Sequence, residues 1–318
     1  MLEGRVGAIE PRLVLILSEN WTMTPPRDLR ALVRMAVEAE GSGFDAVMVS
    51  EHLVLGPGSD ADGVPANPRE YALPVNQDPS TPWPDSLTLL AAVAAVTTSL
   101  RLVASSIIAP LRHPLLLAKQ LATLDLLSEG RLVVQPTVSW HRAEYDALGV
   151  PFEVRGAILD EHLEAWQVLW RDSPASFDGS FYRFSDVYVE PKPYRPEGPP
   201  LWFGGETVHE RLVRRLVAYG SGFNPLGAPS DDDIAWLRAA MTEAGREMAE
   251  LEMVGGTRGR FLDASSVADL DDALASIPAK LERGFTTICL KPSQFIDDPT
   301  MIGSFCRDVV NRVRALSG

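Results

Sequence analysis

Residues 101–149, RLVASSIIAPLRHPLLLAKQLATLDLLSEGRLVVQPTVSWHRAEYDALG, read as strand, loop, helix, strand and loop, with polar or kinked residues where each strand ends. The first strand, 101–108, is β-branched and apolar but is interrupted by Ser105 and Ser106. The helix after His113 and Pro114 carries an apolar stripe and stops at Ser128-Glu129-Gly130. The next strand, 131–135, runs into Pro136, Thr137, Ser139, Trp140 and His141. In a parallel α/β protein, a ligand at the carboxyl ends of neighbouring strands meets both polar clusters.

Outward from this stretch the alternation continues in both directions. Strands are expected at 13–17 and 45–49, with a helix at 27–40 between them and another at 86–96. Beyond residue 149 a helix is expected at 153–170, then strands at 201–203, near Phe223, at 251–254 and at 286–290. Helices at 207–219, 231–250, 267–283 and 299–316 separate and close them. The segment PASFDGSFYRFSDVYV, residues 174–189, alternates aromatics around Asp178-Gly179 and reads as an inserted hairpin. Residues 56–85 are long, irregular and rich in proline, the pattern of a lid. The acidic runs at 231–233 and 269–272 read as helix starts, where carboxylates suit the positive end of the dipole.

Eight buried parallel strands, nearly all followed by helices, predict one (β/α)8 TIM barrel domain over 1–318, with the hairpin as an insertion and the long loop after strand two. An open doubly wound sheet is the alternative. Its dinucleotide fingerprint finds only Gly56-Pro57-Gly58-Ser59-Asp60-Ala61, which runs into proline-rich chain instead of opening a helix.

Forty-three acidic against 29 basic residues give a net charge of −14, which argues against nucleic acid or an anionic membrane and for a small-molecule partner. The two cysteines, Cys289 and Cys306, fit a reducing cytoplasm and no disulfide framework. The apolar run at 13–17 is too short for a membrane span and lacks the flanks of a signal peptide. The five histidines never fall at metal-ligand spacing, and no Gly-x-Ser-x-Gly elbow occurs, so no metal is expected.

Four places carry candidate chemistry. Glu51 and His52 directly follow strand two, where an imidazole can orient or protonate a bound ring and an adjacent carboxylate can tune it; a loop histidine without a role is the alternative. Ser105 and Ser106 suggest either a bulge facing a ligand or small residues filling the barrel interior. Pro136 requires strand four to end or distort, with Trp140 and His141 beyond it able to wall a planar ligand or simply to pack. Gly204 and Gly205, followed by Glu206 and Thr207 at a helix start, suit either a phosphate or a tight βα turn.

The ordered series FDAVMVSEH, RLVASSIIAPLRHPLLLAKQLATLDLLSEGRL, WHRAEYDALGVPFEVRGAILDEHLEAW, FDGSFYRFSDVYVEPKP and PPLWFGG, within residues 12–225, resembles the luciferase-like monooxygenase superfamily, and most of all its coenzyme F420-dependent oxidoreductases. The resemblance implies a barrel holding a flavin or deazaflavin at its strand ends, with Glu51 and His52 at the reactive ring. It implies a non-proline cis peptide at Ser106–Ile107, so that Ser105, Ser106 and Ile107 back the ring. Val138, Ser139, Trp140 and His141 match the loop after strand four, and Gly204, Gly205, Thr207 and Val208 match the phosphate turn. Where relatives run Gly-x-Gly-x-Gly-Trp, this chain has Gln135-Pro136-Thr137-Val138-Ser139-Trp140. The function implied is hydride transfer between coenzyme F420 and a small organic substrate, in a homodimer. An FMN-dependent monooxygenase and a non-catalytic flavin-binding barrel are the alternatives.

Overall fold

Strands that are apolar on both faces must be covered on both, and a sheet closed on itself inside a ring of helices does this. The computed structural model describes residues 10–317. Its first half comprises β1 (Arg12–Ile16), α1 (Leu29–Gly41), β2 (Ala46–Val49), α2 (Ser86–Ala94), β3 (Arg101–Ile108), α3 (Pro114–Leu127), β4 (Leu132–Thr137), α4 (Arg142–Leu148) and α5 (Arg155–Arg171). The second comprises β5 (Ala175–Asp178), β6 (Arg183–Val187), β7 (Leu201–Phe203), α6 (Glu210–Tyr219), β8 (Gly220–Phe223), α7 (Asp231–Glu243), β9 (Glu252–Gly256), α8 (Leu270–Leu274), α9 (Ile277–Glu282), β10 (Thr287–Leu290) and α10 (Ile302–Ser317).

Eight strands form a closed barrel in the order β1-β2-β3-β4-β7-β8-β9-β10, with β1 pairing β10 to shut it, and β5 and β6 form the separate antiparallel hairpin. The expected TIM barrel is therefore the fold. Side chains alternate along the barrel strands outside their bulges. Val14, Ile16, Ala46, Met48, Val103, Val133, Trp202, Val254 and Cys289 point inward and fill the barrel. Their neighbours Leu13, Leu15, Val47, Leu102, Leu132, Val134, Ile288 and Leu290 point outward into the layer shared with the helices. At the amino-terminal end, Glu252 takes both guanidinium nitrogens of Arg101 at 2.9 Å and the Thr287 hydroxyl at 2.5 Å, with Arg12 at 3.2 Å.

The acidic runs do start helices. Ser230 and Asp233 form a capping box on α7, and Asp269 caps α8 through the Asp272 amide at 3.1 Å. Three boundaries differ from expectation. The stretch expected as one helix over 267–283 is two, α8 and α9, because Pro278 cannot continue the first and instead sits in the opening turn of the second. The helix expected to reach residue 250 stops at Glu243, before Gly245 at φ 73°, and only a 3₁₀ turn follows. The loop expected after strand four contains α4, closed by Gly149 at φ 69°.

Pro136 does not end its strand either: β4 continues to Thr137. The irregularity lies in its neighbour. Ser105 pairs Gln135 and Ile107 pairs Pro136, so Ser106 is the extra residue of a bulge set where the proline offers no donor. No helix among the described residues is long and apolar enough to cross a membrane.

Candidate active site

The carboxyl ends of the strands open into a cleft of about 970 Å³, bordered by residues from β1, β2, β3, β4, β9 and β10, by the loop after β8 and by the long segment after β2. His52 leaves β2 into this cleft. Its Nδ1 lies 3.3 Å from Glu144 Oε2, and its ring meets Trp83 and Trp140 edge-on, with centroids 5.3 and 5.7 Å away. Glu144 is completely buried in the first turn of α4. Its Oε1 accepts the Leu53 amide at 2.6 Å and the Val54 amide at 3.4 Å, and its Oε2 accepts the Ser139 hydroxyl at 3.0 Å. These bonds hold the carboxylate still, and the carboxylate fixes the imidazole.

Glu51 faces the other way. It binds Arg112 through both oxygens at 2.6 and 2.9 Å, and also accepts the Ser86 hydroxyl at 2.6 Å and the Ile108 amide at 3.0 Å. Every strong acceptor position on Glu51 is taken, so the tuning of His52 expected of Glu51 is geometrically assigned to Glu144 instead. The two side chains thus have separate partners, Glu51 with Arg112 and His52 with Glu144, and do not pair with each other.

The floor of the cleft is built where β3 bulges. The non-proline cis peptide is Ser105–Ser106, one bond earlier than the Ser106–Ile107 bond expected. Ser105 Oγ donates to Gln135 Oε1 at 2.8 Å, and Asn224 Nδ2, beyond β8, donates to the same oxygen at 2.8 Å. Gln135, at the first of the three positions expected to be glycine, thus fills the barrel mouth with a neutral amide network. Ser139, at the third, takes φ 57°, a backbone state natural to glycine, and uses its hydroxyl on Glu144.

The long segment after β2 forms one wall, with Tyr71, Leu73, Pro74, Gln77 and Trp83 facing the cleft. It is tied to the loops after β9 and β10: Asn67 Nδ2 donates to Asp263 O at 2.9 Å and Ser266 O at 2.8 Å, and Arg69 pairs with Asp297 at 2.5 Å. Lys291, wholly buried at the end of β10, donates to Glu70 O at 2.8 Å and lies 3.9 Å from Glu19 and 5.6 Å above the Tyr71 ring. Burial pulls its ammonium below the usual lysine range, opposed by Glu19 and Glu70. Burial likewise pushes the cleft-lining Cys289 thiol up to about 12, which keeps it protonated and unreactive.

Comparison with known proteins settles the family. The family model for luciferase-like monooxygenase matches residues 12–277. The chain belongs to the luciferase-like monooxygenase family. An uncharacterised protein of Mycobacterium tuberculosis is 33% identical over 218 residues, 66% of this chain and 73% of that one. The FMNH2-dependent dimethylsulfone monooxygenase of Pseudomonas putida is 30% identical over 188 residues, 58% of this chain and 46% of its own length. Among solved structures, the coenzyme F420-dependent tetrahydromethanopterin reductase of Methanopyrus kandleri superposes with a TM-score of 0.69 at 15% identity, covering 95% of this chain and 99% of that one. Luciferase-like neighbours thus include both F420- and FMN-dependent proteins.

The cleft suits the flat ring of such a group. Trp83 and Trp140 supply aromatic walls, Ser105 and Ser106 a hydroxylated floor, and two wall residues, Trp83 and Gln77, hold buried polar atoms (Nε1 and Oε1) with no hydrogen-bond partner. Of the luciferase-like site residues expected from sequence, Glu51, His52, Ser105, Ser106, Ser139 and Trp140 border the cleft. The others do not. Ile107 points outward into the helix layer, and Val138 packs on that layer while its carbonyl accepts the Tyr145 hydroxyl. His141 is buried, with Nε2 accepting the Gly56 amide at 2.9 Å, so it pins the start of the long segment; burial lowers its pKa and keeps that nitrogen unprotonated.

Gly204, Gly205, Thr207 and Val208 also lie outside the cleft lining. Gly204 is required by packing, since a Cβ there would stand 1.7 Å from the Asn224 carbonyl oxygen. Glu144, Asn224, Trp83 and Gln77 were not singled out by sequence. Asn224 had a usable signal, as the polar residue directly after an apolar strand, the same feature that marked His52.

Proposed function

We propose that this luciferase-like oxidoreductase transfers a hydride between coenzyme F420 and a small organic substrate, with His52 handling the accompanying proton. The observation that carries the chemistry is the His52 imidazole, held in the cleft by a buried carboxylate. With Nδ1 on Glu144, Nε2 has no hydrogen-bond partner among the described residues and is the atom available to a substrate. Adding a hydride to a carbonyl or imine leaves an anion that needs a proton, and Nε2 delivers it; in the reverse direction Nε2 accepts it. When bound, the deazaflavin supplies or receives the hydride. Trp83 and Trp140 would flank its ring, Ser105 and Ser106 would back it, and the 56–85 segment would exclude water.

The identity of the coenzyme rests on the sequence resemblance, and the reaction on His52. A second reading, an FMN-dependent monooxygenase, is supported by the 30% identity to the Pseudomonas putida enzyme. Anaerobic titration with each coenzyme, followed by steady-state assay against a panel of carbonyl compounds with reduced F420, separates the two. Binding of F420 with turnover lost in His52→Asn supports hydride transfer. Tight FMN binding without F420 affinity supports the second reading, and binding of either without turnover supports a non-catalytic flavin-binding barrel.

A further inference from the structure

The cleft has an electrostatic asymmetry that the ring site does not use. In a chain of net charge −14, the side of the cleft formed after β9 and on α9 gathers Arg258, Arg260, Lys280 and Arg283. The acidic residues bordering the cleft are Glu19, Glu51 and Asp272. Glu51 is neutralised by Arg112, and Glu19 is bound to the Ala72 amide at 2.9 Å with Lys291 at 3.9 Å. Asp272, at the start of α8, is left as the carboxylate on the cationic side.

The cations themselves are poorly compensated. Arg283 has a counter-ion, Asp231 at 3.0 Å. Arg258, Arg260 and Lys280 have no ion pair among the described residues: Arg258 donates to the Leu226 carbonyl at 3.2 Å, and the Lys280 ammonium to the Ser276 hydroxyl at 2.6 Å. Burial lowers the Lys280 pKa. Its stem runs beside Gly255 of β9, 3.4 Å from where a Cβ would stand, and the residue borders the cleft. Loops after the seventh and eighth strands of such barrels frequently receive anions, and β9 and β10 hold those positions here.

We infer that Arg258, Arg260 and Lys280 form an anion subsite within the cleft, taking a phosphate or carboxylate group. Two guanidinium forks and one ammonium match the planar and tetrahedral oxygens of such groups. The anion belongs either to the substrate or to the phosphate-bearing tail of the coenzyme; only the second source rests on the function proposed above. The subsite also favours anionic substrates over their neutral analogues, since only an anion forms charge-assisted bonds with the three cations.

The test uses the full chain and the double variant Arg258→Gln/Arg260→Gln, with Arg171→Gln/Arg307→Gln as a control of equal charge change at exposed positions away from the cleft. Inorganic pyrophosphate is titrated by calorimetry at constant ionic strength. The expected result is binding to the native and control proteins, weakened about tenfold or more in the double variant. Parallel titrations compare FMN with riboflavin, and F420 with its phosphate-free chromophore. If the double variant loses affinity for the phosphorylated forms alone, the subsite takes the coenzyme tail; if all four bind unchanged while pyrophosphate weakens, it takes the substrate. Pyrophosphate that fails to bind the native protein, or binds native, control and double variant alike, overturns the subsite whichever coenzyme the protein uses.

Discussion

His52 Nδ1 and Glu144 Oε2 stand 3.3 Å apart although 92 residues separate them, and the same carboxylate holds the Leu53 amide at 2.6 Å. One buried group therefore sets both the path of the chain leaving β2 and the orientation of the ring at its end. Glu144 acts as a positioning residue. Replacing it by Gln keeps one oxygen for the backbone but removes the charge behind the imidazole. Glu144→Gln is expected to lower kcat by about 10–100-fold while coenzyme affinity stays unchanged, and His52→Asn to lower it by about 10²–10⁴-fold. Steady-state kinetics and fluorescence titration check both; an equal loss of coenzyme binding would show that Glu144 shapes the cleft as a whole.

Glu51 is expected to behave differently. Its carboxylate is buried and shared among Arg112, Ser86 and the Ile108 amide, so Glu51→Ala leaves the Arg112 guanidinium without its buried partner. Breaking a buried pair from one side costs about 3–5 kcal/mol. Urea unfolding should register this loss for Glu51→Ala, whereas His52→Asn should stay within about 1 kcal/mol of the native protein. A stable, fully folded Glu51→Ala protein with no turnover would instead return Glu51 to the chemistry.

The contrast between these two neighbours shows what sequence makes legible. The barrel was readable because its strands are short, apolar on both faces and separated by amphipathic helices, and because Asp and Ser mark several helix starts. The positions of His52, Ser105 and Trp140 were readable because polar residues directly after buried strands have few other places to go. Pairings were not. Glu51 and His52 look like a pair when written side by side, yet Glu51 bonds Arg112, and the partner of His52 arrives on α4, a seven-residue helix too short and polar to announce itself. Gly204 suited either a phosphate or a tight βα turn, and the demand for glycine there comes from the Asn224 carbonyl across the β7–β8 pair, a contact visible only in three dimensions.

That contact makes its own prediction. Gly204→Ala forces a methyl into the Asn224 backbone, and since Asn224 also anchors the Gln135 and Ser105 network, strain there spreads to the cleft floor. A loss of about 3 kcal/mol is expected, together with weakened coenzyme binding. Gly205→Ala, where the added Cβ would come no closer than 3.6 Å to a neighbour, should be mild by comparison. Thermal unfolding of the two variants side by side measures the difference.

The opposite end of the barrel contributes to stability in acid. Burial alone would raise the Glu252 carboxyl, but Arg101, Thr287 and Arg12 together hold it below the usual range. A carboxyl lowered in the fold stabilises fully above its unfolded pKa of about 4.3 and loses that contribution as pH falls through its folded value. Urea midpoints should therefore fall below about pH 4 in the native protein, and Arg101→Gln should be less stable at neutral pH with a shallower acid limb. An acid limb unchanged in Arg101→Gln would place the acid-sensitive group elsewhere.

The deazaflavin site proposed over His52 meets its sharpest test in coenzyme titration under anaerobic conditions. Purified protein is titrated with F420 and with FMN, each followed by fluorescence and by thermal stabilisation; a ligand at one hundred times its dissociation constant adds about 2.7 kcal/mol. Saturable binding of F420 is expected, with reduced F420 oxidised in the presence of an acceptor substrate and not in its absence. Tight FMN binding with no affinity for F420 would contradict it.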